Sequence, residues 1–145
     1  MEKSFYPILT YHSISVPPKN TSIKSICVSE KKFYRQMLLL KILGYRAISI
    51  KELVPYLTGN KTGKVIGLTL DDGYMDNFEK ALPVLRNFGF SATCYIVSDQ
   101  IGKFNEWDFI NNVAKRKLMG IAELKKWIEL GFEIGCHSAT HVDLT

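Results

Sequence analysis

The chain has 145 residues, 46% of them hydrophobic and 23% charged, with a formal net charge of +5. This is the composition of an ordinary globular domain, which excludes a disordered or collagen-like chain, and the length allows one core and not two. No apolar run approaches the roughly 18–20 residues that span a bilayer, and the basic residues are thinly spread. Their densest run, Lys115-Arg116-Lys117, reads as a solvated face and not as a nucleic-acid site.

Pro7 to Tyr11 reads as a strand, followed by a loop bearing Pro17-Pro18. A helix is expected from Glu30 to Leu43, where Phe33, Met37, Leu40 and Leu43 recur at helical spacing and Gly44 stops it. Tyr45 to Ile50 is a second strand. Ser49 with Glu52 three residues on forms a capping box that opens a short helix toward Leu57, with Pro55 weighing against it. Lys64 to Leu70 is an apolar run of strand length, suited to burial on both faces, and ends at Asp71-Asp72-Gly73.

A helix from Asp76 to Phe88 is expected to restart at Pro83 and to end at Gly89. Ser91 to Val97 is the fourth strand, Ile121 to Leu130 a helix stopped by Gly131, and Phe132 to Cys136 the fifth strand. Lys103 to Gly120 shows no clear period, and Trp107 and Phe109 within it read as core. The chain shows no repeat or composition shift, so residues 1–145 form one domain. Its start carries no apolar leader, which predicts a cytoplasmic protein. Cys27, Cys94 and Cys136 are odd in number and widely spaced, so they are expected as small buried side chains, not as a disulfide framework.

Strands alternating with helices predict an α/β fold with a largely parallel sheet or barrel, whose chemistry lies at the carboxyl ends of the strands. Asp71-Asp72, His137 and His12 all stand where a predicted strand ends. Two successive carboxylates cannot share one face of a regular strand. Gly73 supplies the freedom for a sharp exit, so that one aspartate can bind a cation while the other takes a proton. His137 and His141 are four apart, the spacing at which two imidazoles share one face of a helical turn. With one aspartate they make the open three-ligand set of a catalytic zinc or similar divalent ion. Alone, an Asp-Asp-Gly triplet is most often a solvated turn, and a histidine pair also occurs on surface turns. Their conjunction at strand ends, in a chain with only three histidines, is what points to a site. His12 either lines that pocket or is a hydrogen-bonded residue at a strand terminus.

The segment Thr69-Leu70-Asp71-Asp72-Gly73-Tyr74 resembles the first motif of the polysaccharide deacetylases, the family-four carbohydrate esterases with a nodulation-protein-B homology domain. His137-Ser138-Ala139-Thr140-His141 is similar to their second motif. Leu9-Thr10-Tyr11-His12-Ser13, Ala81-Leu82-Pro83-Val84-Leu85, Ser91-Ala92-Thr93 and Gly131-Phe132-Glu133-Ile134-Gly135 resemble the family's framing segments, so the likeness covers essentially the whole chain. Leu70 stands where the family usually has phenylalanine. The resemblance implies a partial (β/α) barrel, incomplete at the C-terminus. It implies Asp71 as catalytic base, Asp72, His137 and His141 as ligands of a divalent metal such as zinc, and Ser138 or Thr140 steadying the histidine loop. The implied substrate is an N-acetylated amino-sugar polymer or oligomer, losing its acetyl groups by hydrolysis.

The family's later motifs, with an arginine that orients the base and a histidine general acid, do not occur before Thr145. The chain therefore reads as truncated, with weak activity or none and with self-association expected to cover the open barrel. Three rival readings stand beside this one. They are a metal-dependent amidase or esterase on a small acyl substrate, an inactive metal-binding or interaction module, and a doubly wound ligand-binding domain.

Overall fold

The apolar run Val65–Leu70 forms the central strand of a five-stranded parallel sheet, and each of its six residues is buried. The computed structural model describes residues 5–19, 21–22, 24–111 and 113–142. Its strands are β1 (Ile8–Tyr11), β2 (Arg46–Ile48), β3 (Val65–Leu70), β4 (Thr93–Ile96) and β5 (Glu133–Cys136); its helices are α1 (Glu30–Ile42), α2 (Ile50–Leu57), α3 (Leu82–Phe88) and α4 (Ile121–Glu129). β1 takes one edge of β3, with Thr10 opposite Thr69. The other edge is shared, the first half of β3 pairing with β2 and the second half with β4. β5 then pairs with β4, so the sheet runs from β1 to β5 and does not close on itself.

Local sequence sets most of these bounds. Ser49 ends β2 early because it caps α2, with its side chain and that of Glu52 closing the expected capping box; Pro55 is tolerated inside the helix. The stretch from Asp76 to Phe88 is a π-helical turn at Asn77–Ala81 that passes into α3, with Pro83 in the first turn of the new helix. Gly89 ends α3 at φ 67°, a left-handed backbone that glycine adopts without steric cost.

Alternation along the strands divides the sheet into two faces. Tyr11, Ile66, Leu68, Leu70, Ala92 and Cys94 pack under α1, α3 and α4, against Phe33, Met37, Leu85, Leu124 and Trp127. On the opposite face α2 covers only the amino-terminal end, where Leu53 joins Ile48 and Val65. Gly67 makes room for it: a Cβ there would stand 2.9 Å from side-chain atoms of both Leu53 and Ile8.

Above α2 that face turns polar. A row of Thr10, Thr69, Thr93 and Glu133 crosses four strands in register. Thr69 donates to the Thr10 hydroxyl at 3.0 Å, and Thr93 donates to the Glu133 carboxylate at 2.5 Å. One step further toward the strand ends, the same face carries Asp71, Tyr95 and Gly135.

Three sequence expectations are corrected. Arg116 turns inward while Lys115 and Lys117 are exposed, so the basic run is not a uniform solvated face. The Arg116 guanidinium donates to Ser13 at 2.6 Å and to Ser15 at 2.5 Å, and lies 3.6 Å from the Asp76 carboxylate. Phe109 is exposed and Trp107 half-buried, so neither belongs to the core. Of the cysteines only Cys94 is buried; Cys27 is half-buried and Cys136 exposed, and all three are free thiols.

Candidate active site

The carboxyl ends of β1, β3 and β5 deliver His12, Asp71-Asp72 and His137 to one rim of the sheet. Asp71 continues the ladder, its amide donating to the Tyr11 carbonyl at 2.8 Å. The chain then leaves the sheet sharply, with Asp72 and Gly73 both at φ 71°. Gly73 was expected to give that freedom; Asp72 shares it, and aspartate is among the residues that tolerate the left-handed region. The turn sends the Asp72 side chain away from its neighbour and buries it to 4% exposure.

The histidine segment is not a helical turn. Residues 137–142 form a loop, with Ser138 at φ 61° and His141 at φ 60°. The His137 amide donates to the Ile96 carbonyl at 2.7 Å, which extends the pairing of β5 with β4. Ser98 and Asp99 amides hold the Ser138 and Ala139 carbonyls at 3.2 and 2.9 Å. Ser138 steadies the loop as expected, its hydroxyl accepting from the His141 amide at 2.8 Å. The spacing of four thus brings the imidazoles together by a folded loop, their centroids 4.9 Å apart and their planes at 82°.

Asp72 Oδ1 lies 3.4 Å from Nε2 of His137 and 3.3 Å from Nε2 of His141. Among the described residues these three form the one grouping able to offer three ligand atoms, all within 4.8 Å of one another. Asp72 Oδ1 is buried and makes no hydrogen bond, even to the facing imidazoles. A buried carboxylate oxygen without a partner is costly, and a cation between it and two imidazole lone pairs removes that cost. The donor set, two nitrogens and one oxygen with an open side, suits zinc or a similar divalent ion. A cavity of about 140 Å³ lies against the histidine loop, lined by Cys136, His137, Ser138, His141 and Val142.

Asp71 stands beside this triad. Burial holds its carboxyl above the ordinary carboxylate range, against the opposing pull of His12 and His137, while the Asp72 charge raises it further. Its Oδ1 is buried without a hydrogen bond and so keeps a free lone pair. His12 follows β1 on the same rim, and its charge opposes the rise at Asp71. Tyr95 borders the same ground: burial raises its hydroxyl pKa first, and the Glu133 and Asp71 charges add to the rise.

Sequence reasoning missed Trp107, whose ring lies flat on His141 with centroids 4.7 Å apart and planes 10° apart. No local pattern marked it, because the stack joins two segments that meet only in the folded chain.

Comparison with known proteins identifies the family. The family model described as polysaccharide deacetylase matches residues 58–145. The chain is 32% identical over 140 residues to YxkH of Bacillus subtilis, named for polysaccharide deacetylation, covering 95% of this chain and 44% of that protein. It is 26% identical over 115 residues to the poly-beta-1,6-N-acetyl-D-glucosamine N-deacetylase of Staphylococcus epidermidis, covering 79% of this chain and 39% of the relative. The crystal structure of BC0361, a polysaccharide deacetylase from Bacillus cereus, superposes with a TM-score of 0.76 at 29% identity, covering 96% of this chain and 40% of that one. The chain therefore spans less than half the length of each, and over that span its open parallel sheet follows the deacetylase fold. With the family model matching more than half of its residues, the chain belongs to the polysaccharide deacetylase family.

Proposed function

We propose that this chain carries the metal-binding and base-bearing part of a hydrolase that removes N-acetyl groups from amino-sugar polymers. The observation that supports the reading best is the unpartnered Asp72 Oδ1, buried between the Nε2 atoms of His137 and His141. Asp72, His137 and His141 would hold the ion, with zinc the favoured metal. When bound, such an ion polarises an acyl oxygen and acidifies water. The Staphylococcus epidermidis relative is named for action on poly-beta-1,6-N-acetyl-D-glucosamine, which favours a polymer of that class as substrate.

Asp71 would serve as the base. It sits next in sequence to the ligand Asp72 but on the ladder side of the turn, so it can face the same small volume without joining the ligand set. Partial burial makes its carboxylate a stronger proton acceptor than a solvated one, the direction a general base requires. The His12 and His137 charges oppose that rise and the Asp72 charge adds to it.

Metal analysis and an acetate-release assay on N-acetylglucosamine oligomers test this together. Zinc at one equivalent per chain, lost in His137→Ala and in Asp72→Asn, is expected. With the metal retained, acetate release that falls at least about 100-fold in Asp71→Asn supports the base. Zinc content indifferent to His137 and His141 would end the proposal.

A further inference from the structure

Metal-ligating histidines are normally held in orientation by a hydrogen bond to the second ring nitrogen. Among the described residues no side chain or carbonyl makes such a bond to His137 or His141. The His141 ring is instead covered by Trp107, stacked nearly parallel at 4.7 Å. Resting on the metal reading above, we propose that Trp107 is a positioning residue of that centre, a flat indole wall that fixes the plane of His141 and aims its Nε2 at Asp72.

The surroundings of Trp107 are built to hold it there. It lies in the turn Glu106–Asn111. Asn105, fully buried, organises that turn: its carbonyl accepts from the Arg116 amide at 2.6 Å, and its amide donates to Asp108 and to the Ala114 carbonyl, both at 3.2 Å. Asp108 also accepts from the buried Tyr74 hydroxyl at 3.4 Å. The return of the same segment pairs with the aspartate loop, Met119 donating to the Gly73 carbonyl and Met75 to the Lys117 carbonyl, each at 2.9 Å. Residues 104–111 and 113–119 are thus fastened to the loop that carries Asp72 and press Trp107 on the loop that carries His141. One segment touches both halves of the site, the aspartate loop through Gly73 and Met75 and the histidine loop through Trp107. An indole suits the task because its wide apolar face restricts ring rotation without offering a competing ligand or charge.

The test uses the purified chain with Trp107→Phe and Trp107→Leu. In the metal-free protein, the His141 ring protons are expected upfield of those of His12 in NMR spectra, from the ring current of the stacked indole. The shift should shrink in Trp107→Phe and vanish in Trp107→Leu. Zinc affinity, read by competition with a chelator, is expected to fall about 10- to 100-fold in Trp107→Leu, with Trp107→Phe restoring most of it. The cobalt absorption spectrum should change in the leucine variant and not in the phenylalanine variant.

Wild-type His141 protons at ordinary shifts, or a leucine variant with unchanged zinc affinity and cobalt spectrum, would overturn the proposal. So would losses in both variants that merely follow the melting temperature of the metal-free protein, since a general packing role predicts that pattern. A wild-type chain that binds neither zinc nor cobalt defeats the metal reading itself. Binding that ignores Trp107 defeats only the positioning role.

Discussion

The ring of Tyr95 lies directly over Gly135, its partner across the β4–β5 pairing, so closely that a Cβ at 135 would overlap the ring edge. The glycine is therefore a packing requirement: it lets an aromatic side chain lie down on the open face of the sheet next to Asp71. Gly135→Ala is expected to lower stability by about 1–3 kcal/mol, the usual cost of forcing extra volume into a filled site. In a Tyr95→Ala background the same substitution should cost no more than about 0.5 kcal/mol, since the obstructing ring is gone. Urea unfolding of the four proteins measures the coupling, and additive effects would show that the ring is not the obstacle.

Asp71 gives a pH signature. In the metal-free protein its carboxyl is harder to ionise than in the unfolded chain, chiefly because it is partly buried. The folded state then holds the proton more tightly, so this group's contribution to stability falls as pH rises from about 3.9 toward the higher folded pKa. Asp71→Asn is expected to raise the melting temperature of chelator-treated protein at pH 7, and the gain should disappear below the unfolded carboxylate pKa. Calorimetry at stepped pH reads both limbs. A gain that grows on acidification would contradict the assignment.

Arg116 reaches across the fold to Asp76, Ser13 and Ser15, and donates to Cys27 Sγ at 3.0 Å. Asp76 also accepts from Ser13 Oγ at 2.6 Å and from the Ile14 amide at 2.9 Å, so it ties the loop after β1 to the turn before α3. Removing the guanidinium leaves a mostly buried carboxylate without its counter-charge. Arg116→Ala is expected to cost roughly 3 kcal/mol in chemical denaturation. Adding Asp76→Asn should recover part of that loss, because the stranded charge is then gone.

The thiols separate by position. Cys136 is exposed, whereas Cys94 is fully buried and its thiol is pushed far above the ordinary range by burial, with the Asp71 and Asp72 charges adding to the rise. Native protein treated with iodoacetamide is expected to carry label at Cys136 and none at Cys94 by peptide mapping, and unfolding in urea should expose Cys94. Equal labelling in the native state would contradict the packing of β4 under α3.

Where one stretch of chain decides its own structure, the sequence was readable. The capping box at Ser49 and Glu52, the buried run of β3 and the restart at Pro83 are local, and each appears where its residues place it. The cluster of Asp72, His137 and His141 was legible through residue type and strand ends, although the backbone behind it was misjudged: His137 and His141 share a folded loop and not a helical face. Trp107 and Arg116 escaped because their partners are distant in sequence, and a segment without periodicity gives no hint of which way its side chains turn. Cys136 was misplaced because cysteine is buried on average, a tendency that yields where a strand emerges at the rim.

Among the described residues β5 pairs with β4 alone, at the far end of the sheet from β1. During synthesis the segment bearing Asp72 leaves the ribosome well before the one bearing His137, and domains tend to form from the amino terminus onward. A carboxylate by itself is a poor trap for zinc, so the ion has nothing to seize until β5 has docked. Loading of the proposed centre would then follow the folding of these strands without guiding it, and the growing chain would not commit to an ion before β5 is in place.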